Sequence, residues 1–118
     1  MSKILIIDDE PLVRRSLSRV LLAHQYQVFE AENGLEGKKI WQEQKPDLIF
    51  LDVLMPSMSG PELLRAMPDR FGAKIILISA YTGEHQIDQI KQFAVDRFLP
   101  KPFDDIFKIV EVVKELLP

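Results

Sequence analysis

Three short runs constrain the fold of this chain more than anything else in it: "ILII" (4–7), "DLIFLDV" (47–53) and "KIILISA" (74–80). They are nearly continuous Ile, Leu, Val and Phe without alternation, the pattern of strands buried on both faces of a parallel sheet. "QVFEA" (27–31) and "DRFLP" (96–100) read as two further, weaker strands. Helical patterns separate the runs. After "DDE", Pro11 suits a first helical turn and Asp9 or Glu10 its cap. Val13, Leu17, Val20, Leu21 and His24 then form one stripe. Residues 33–44 place Leu35, Ile40 and Trp41 among charges, and 61–71 offer Leu63, Leu64 and Met67 behind a Ser59 cap. Residues 84–94 carry Ile87, Ile90 and Ala94; 104–117 carry Ile106, Ile109, Val110, Val113 and Leu117. The expectation is β-α five times over, a parallel α/β sheet with helices on both faces and right-handed crossovers.

The 118 residues fit one domain, expected over 1–118, and no linker or low-complexity tract marks a second. A net charge of -3 offers no basic field, so this segment is not expected to bind nucleic acid directly. With no cysteine, disulfides, thiolate metal sites and a catalytic thiol are excluded. The opening "MSKILIIDDE" is too short and wrongly flanked for a signal peptide, and no later run could span a bilayer. A cytoplasmic location with no membrane partner is the expectation.

In an open parallel sheet, ligands bind beyond the carboxyl ends of the strands. Asp8 and Asp9 end the first strand, Asp52 the third and Ser79 the fourth, and Lys101 follows the fifth. Each alone reads as a cap, a turn bond or a solvated lysine; together they converge on one edge. Crowded carboxylates repel and raise one another's pKa unless a cation intervenes. A set of oxygen ligands without His or Cys suits Mg2+. Lys101 then needs a further anion, and a phosphoryl group on Asp52, shared among Mg2+, Lys101 and the Ser79 hydroxyl, would satisfy both cations.

These residues closely resemble the receiver domain of two-component response regulators, from "ILIIDDE" through "LDVLMPSMSG" and "ILISA" to "DRFLPKPF". The resemblance implies a flavodoxin-like, doubly wound five-stranded parallel sheet, (βα)5, in strand order 2-1-3-4-5. It implies a phosphorylation-activated signalling switch rather than an enzyme with a separate substrate. Asp52 is the implied phosphoacceptor, taking its group from a histidine kinase or phosphotransfer protein. Asp9 and Asp52 are the implied direct Mg2+ ligands with the main-chain carbonyl of Leu54, and Asp8 acts through water. Ser79 is the implied switch hydroxyl, Lys101 the phosphate-contacting lysine and Phe98 the switch aromatic. The bond before Pro102 is expected to be cis. Phosphorylation is expected to shift the surface of helix 84–94, the fifth strand and the last helix, controlling an output partner or fused domain. A phosphorylation-dependent homodimer is among the partners to test.

This chain departs from the family pattern in places. Phe98 stands where many members have tyrosine, and Ser79 where threonine is common. Leu54 and Tyr81, two residues beyond Asp52 and Ser79, offer no carboxylate or amide to orient hydrolytic water, so a long-lived phosphoaspartate is expected. Ala94 lies near the place of a frequent glycine before the fifth strand, so that turn is expected to be shaped differently. Met55 and Met58 read as packing, Trp41 as half-buried packing, His24 as a boundary residue and His85 as exposed. Phe93, off the 84–94 stripe, is a candidate apolar contact of the output surface. Two other readings compete. A haloacid-dehalogenase-type phosphatase would carry Asp-x-Asp after the first strand, where this chain has adjacent acids, and would need a cap domain. A flavodoxin-like FMN protein would need a phosphate loop where "DDEPLVRR" is acidic.

Overall fold

A computed structural model describes residues 1–80 and 94–118. Five strands, β1 (Lys3–Ile7), β2 (Gln27–Ala31), β3 (Leu48–Asp52), β4 (Lys74–Ser79) and β5 (Arg97–Pro100), form one parallel sheet in the order β2-β1-β3-β4-β5. Among the described residues, four helices connect and flank it: α1 (Pro11–Ala23), α2 (Gly34–Gln44), α3 (Gly60–Ala66) and α4 (Ile106–Leu116). The helix expected over 84–94, with Phe93 and His85, lies outside the described residues except for Ala94.

The period of two along each strand divides the core. Leu5, Ile7, Ile49, Leu51, Ile75 and Leu77 point to one face, where Trp41 of α2 and Leu63 and Leu64 of α3 cover them. Ile4, Ile6, Leu48, Phe50, Ile76 and Ile78 point to the other, against Leu17, Val20 and Leu21 of α1 and Ile109, Val110 and Val113 of α4. All twelve strand side chains are fully buried. Each contributes about 1.5–3 kcal/mol, which sets the central strands rigidly in register. β2 and β5, at the sheet edges, are only half covered.

Several local expectations are corrected. α1 has Glu10 at its N-cap, but no side chain caps it there. Instead Asp8 Oδ1 accepts from the Glu10 N–H at 2.8 Å, closing the turn after β1. His24 is exposed rather than at a boundary, its ring Nδ1 2.9 Å from the Val20 carbonyl. In α2 Leu35 is 73% exposed, and the buried face is Gly34, Gly37 and Trp41. Trp41 is wholly buried rather than half-buried, its indole N–H donating to the Arg70 carbonyl at 3.1 Å. Only a buried indole with a satisfied N–H is compatible with that depth. α3 ends at Ala66, short of residue 71, because Met67 precedes Pro68 and is pushed out of the helical region, to φ -120 and ψ 74. α4 begins at Ile106, after Asp105 caps it by accepting from the Phe107 N–H at 2.9 Å.

Other expectations hold. Ser59 caps α3 by accepting from the Glu62 N–H at 3.2 Å, and its hydroxyl donates to Glu62 Oε1 at the same distance. Met55 and Met58 pack on the core beside α2 and α3. By contrast, Ala94 takes φ 52, the left-handed conformation a glycine favours, so the different turn expected from the missing glycine is not supported.

Candidate functional site

The parallel register delivers the strand ends to one edge. Asp8 directly follows β1, and its N–H donates to the Ala31 carbonyl of β2 at 3.1 Å. Asp52 is the last residue of β3, opposite Ile78, and is 2% exposed. Ser79 closes β4 and is buried; its carbonyl accepts from the Lys101 N–H at 2.8 Å. That bond carries the sheet ladder one step past β5 and turns Lys101 inward, next to a cis Lys101–Pro102 peptide. The loop after Asp52 is closed by Val53, whose N–H donates to Ile78 at 3.0 Å and whose carbonyl accepts from Gly60 at 2.9 Å. Gly60 admits no side chain: a Cβ there would lie 2.6 Å from the Asp52 carbonyl oxygen.

Lys101 Nζ is the hub. It lies 3.0 Å from Asp8 Oδ2, 3.3 Å from Asp52 Oδ2 and 3.3 Å from Glu10 Oε1. Asp8, Asp52 and the lysine are all buried. Burial raises the Asp52 carboxyl to about 7, the Asp8 charge adds to this, the Lys101 charge and hydrogen bond oppose it, and a bond to Asp9 raises it further. Asp8 is also raised, by burial first; the Glu10 N–H and Lys101 oppose the shift, and the Glu10 charge adds to it. Burial pulls Lys101 down, but its bond to Asp8 and the charges of Asp52, Asp8 and Glu10 carry it above its ordinary value. One ammonium thus faces an excess of carboxylate charge.

Such an excess is what a hard cation relieves. Carboxylate oxygens of buried Asp8 and exposed Asp9 and Glu10 lie within 4.8 Å of one another. The donors are all oxygen, the chemistry Mg2+ takes. The structure therefore brings together Asp8, Asp9, Asp52 and Lys101, with the main chain of Ser79 bonded to Lys101 at the same strand-end edge. Phe98 stands apart from this cluster, half-buried on β5 opposite Leu77 and packed on the α2/α3 side of the core. The Leu54 side chain is 54% exposed, and Tyr81 lies outside the described residues. Glu10 was missed as a site residue: the sequence marks it as a helix cap, whereas its side chain turns to Lys101.

Comparison with known proteins agrees with this geometry. The family model for the response regulator receiver domain matches residues 4–114. The sporulation initiation phosphotransferase F of Bacillus subtilis is 37% identical, covering 98% of this chain and 94% of that protein. The chemotaxis protein CheY of Listeria monocytogenes is 41% identical over 87% of this chain and 88% of that protein. The crystal structure of response regulator protein TrrA from Thermotoga maritima, in complex with Mg(2+)-BeF, superposes with a TM-score of 0.84 at 36% identity, covering 98% of this chain and 99% of that one. Strand order, the buried Asp–Lys pocket and a match over nearly the whole chain coincide, and the chain belongs to the response regulator receiver domain family.

Proposed function

We propose that residues 1–118 act as one receiver unit, a switch set by phosphorylation of Asp52 from a histidine kinase or phosphotransfer protein. The observation that carries this reading is Lys101 Nζ, buried and shared by Asp8, Asp52 and Glu10. A structural ion pair needs one carboxylate; three around one ammonium leave room for incoming positive charge and a bound phosphoryl group. Asp52, at a strand end where the close approach of Gly60 turns the chain, is the nucleophile. Lys101 donates to a phosphoryl oxygen and offsets the charge the transfer concentrates there.

Asp9 and Asp52, with the Leu54 carbonyl, would hold Mg2+ directly, and Asp8 through water. When bound, the ion supplies charge neutralisation at the phosphoryl oxygens. In the transfer an Asp52 oxygen forms the new O–P bond as the donor's P–N bond breaks. The donor histidine keeps that electron pair. The Ser79 hydroxyl, at the end of β4, is then drawn to the phosphoryl group, and Phe98 turns toward the space it leaves. β5 and α4 form the described part of the surface that changes, by a population shift toward the state that the phosphoryl group contacts better.

A groove of about 760 Å³ between α1 and the segment leading into α4 supports a protein donor. Leu12, Val13, Phe103, Ile106 and Phe107 line it, and Lys101 lies at its edge. A donor helix seated there lies beside Lys101, which contacts Asp52 at 3.3 Å. The location expected for such a unit is the cytoplasm, and no described helix is long and apolar enough to cross a membrane.

The test is incubation with Mg2+ and acetyl phosphate, followed by intact-mass measurement of wild type and Asp52→Asn. A phosphoryl adduct on wild type that is absent from the variant is expected. An adduct of equal yield on both, or on neither, overturns Asp52 as the acceptor. Gel filtration of the same samples reads out phosphorylation-dependent dimerisation.

A further inference from the structure

Glu10 occupies the N-cap position of α1, yet its carboxylate makes no capping bond. It reaches across the mouth of the pocket to Lys101 Nζ at 3.3 Å. An ammonium has three N–H donors, and Asp8, Asp52 and Glu10 together present it with three carboxylates. Two of those are buried, whereas the Glu10 side chain is 57% exposed. The Glu10 and Asp52 oxygens are each 3.3 Å from the same nitrogen, so they lie no farther apart than twice that distance. A full negative charge therefore stands on the solvent side of the nucleophile, where an anionic phosphodonor enters.

We propose that Glu10 is a charge gate: a positioning residue that occupies one Lys101 donor and repels small anionic phosphodonors, holding down their reaction with Asp52. The inference rests on the reading of Asp52 as phosphoacceptor. In that reaction an Asp52 oxygen forms a bond to phosphorus while the bond to the leaving group breaks. Acetate leaves acetyl phosphate with the electron pair; ammonia leaves phosphoramidate, whose nitrogen already carries the proton. Glu10 forms no bond to either donor. Without its charge, a neutral acceptor competes less strongly with a phosphoryl oxygen for the third Lys101 N–H, and the entrance is less negative.

The experiment measures initial rates of Asp52 phosphorylation by intact mass, at saturating Mg2+, for wild type, Glu10→Gln and Glu10→Asp. Glu10→Gln is expected to react ~3- to 10-fold faster with doubly charged acetyl phosphate in low salt, the effect of one charge at this separation in a largely aqueous dielectric. The gain should be smaller with singly charged phosphoramidate, and both gains should shrink in ~0.5 M salt, where charges are screened within a few ångströms. Glu10→Asp keeps the charge and should stay near the wild-type rate.

Equal rates in wild type and Glu10→Gln, or a gain indifferent to donor charge and salt, overturn the gate. So does Glu10→Asp matching Glu10→Gln. A slower Glu10→Gln with weaker Mg2+ affinity by equilibrium titration would also overturn it and make Glu10 a metal ligand. Wild type alone supplies a check independent of any variant's folding: salt must accelerate acetyl phosphate more than phosphoramidate. Should no protein be labelled at Asp52, the phosphoacceptor reading itself fails, a result distinct from labelling at equal rates.

Discussion

Asp52→Asn should stabilise the domain, and the gain should appear only as the pH rises. The carboxyl ordinarily ionises near 3.8; in the fold it ionises at about 7 because it is buried beside Asp8. Between those two values the folded state retains a proton that the unfolded chain has released. Stability therefore falls with rising pH across this window, and the cost is complete above pH 7. A difference of about three pH units corresponds to ~4 kcal/mol at most. Asparagine loses that cost, and the Lys101 contribution is already contained in the shift. The variant should thus gain up to ~4 kcal/mol at about pH 8.5 and ~1 kcal/mol or less at about pH 4.5. Urea unfolding of both proteins at several pH values, without Mg2+, measures this. A stability difference that is the same at both ends of the range, or a variant less stable at high pH, would refute the account of Asp52 as a strained, function-bound carboxylate.

Further predictions follow from single contacts. Gly60→Ala places a Cβ 2.6 Å from the Asp52 carbonyl oxygen, so urea melts should show a loss. Overpacking against backbone costs ~1–3 kcal/mol, and the phosphorylation rate should fall as the Asp52 backbone shifts. Trp41→Phe removes one of two donors to the Arg70 carbonyl, which keeps the Ala73 N–H at 3.0 Å, and opens space under α2. A loss of ~2–3 kcal/mol is expected in the same assay, and a loss under ~0.5 kcal/mol would show the bond to be dispensable. Leu54→Asn, at a half-exposed position, should change stability by less than ~0.5 kcal/mol but speed decay of the phosphoaspartate, since an amide can orient water where leucine cannot. Unchanged or slower decay of the isolated phosphoprotein removes Leu54 from any timing role.

Much of this molecule is written in local order. The unbroken apolar runs at 4–7, 47–53 and 74–80 could be satisfied only by a sheet covered on both faces, because every side chain in them needs burial. Sheet handedness and strand ends then follow from chain connectivity. Asp8, Asp52, Ser79 and Lys101 could be assigned to one edge before any coordinates, since strand ends are set by where apolar residues stop. Phase within a helix is less legible. Leu35 and Trp41 both look apolar on α2, yet only one faces the sheet, because Gly37 packs against Ile7 and so fixes which stripe is inward.

The sequence by itself therefore determined the architecture and placed Asp8, Asp9, Asp52, Ser79 and Lys101 at one sheet edge, but left Glu10 unrecognised. Tertiary structure alone decided the electrostatics. Lys101 is separated from Asp8 and Glu10 by more than ninety residues and from Asp52 by nearly fifty, so only packing sets their 3.0–3.3 Å contacts. It also decided where the Glu10 side chain goes. A helix-capping residue in sequence became an exposed carboxylate 3.3 Å from Lys101 Nζ, while Asp8 closes the turn after β1.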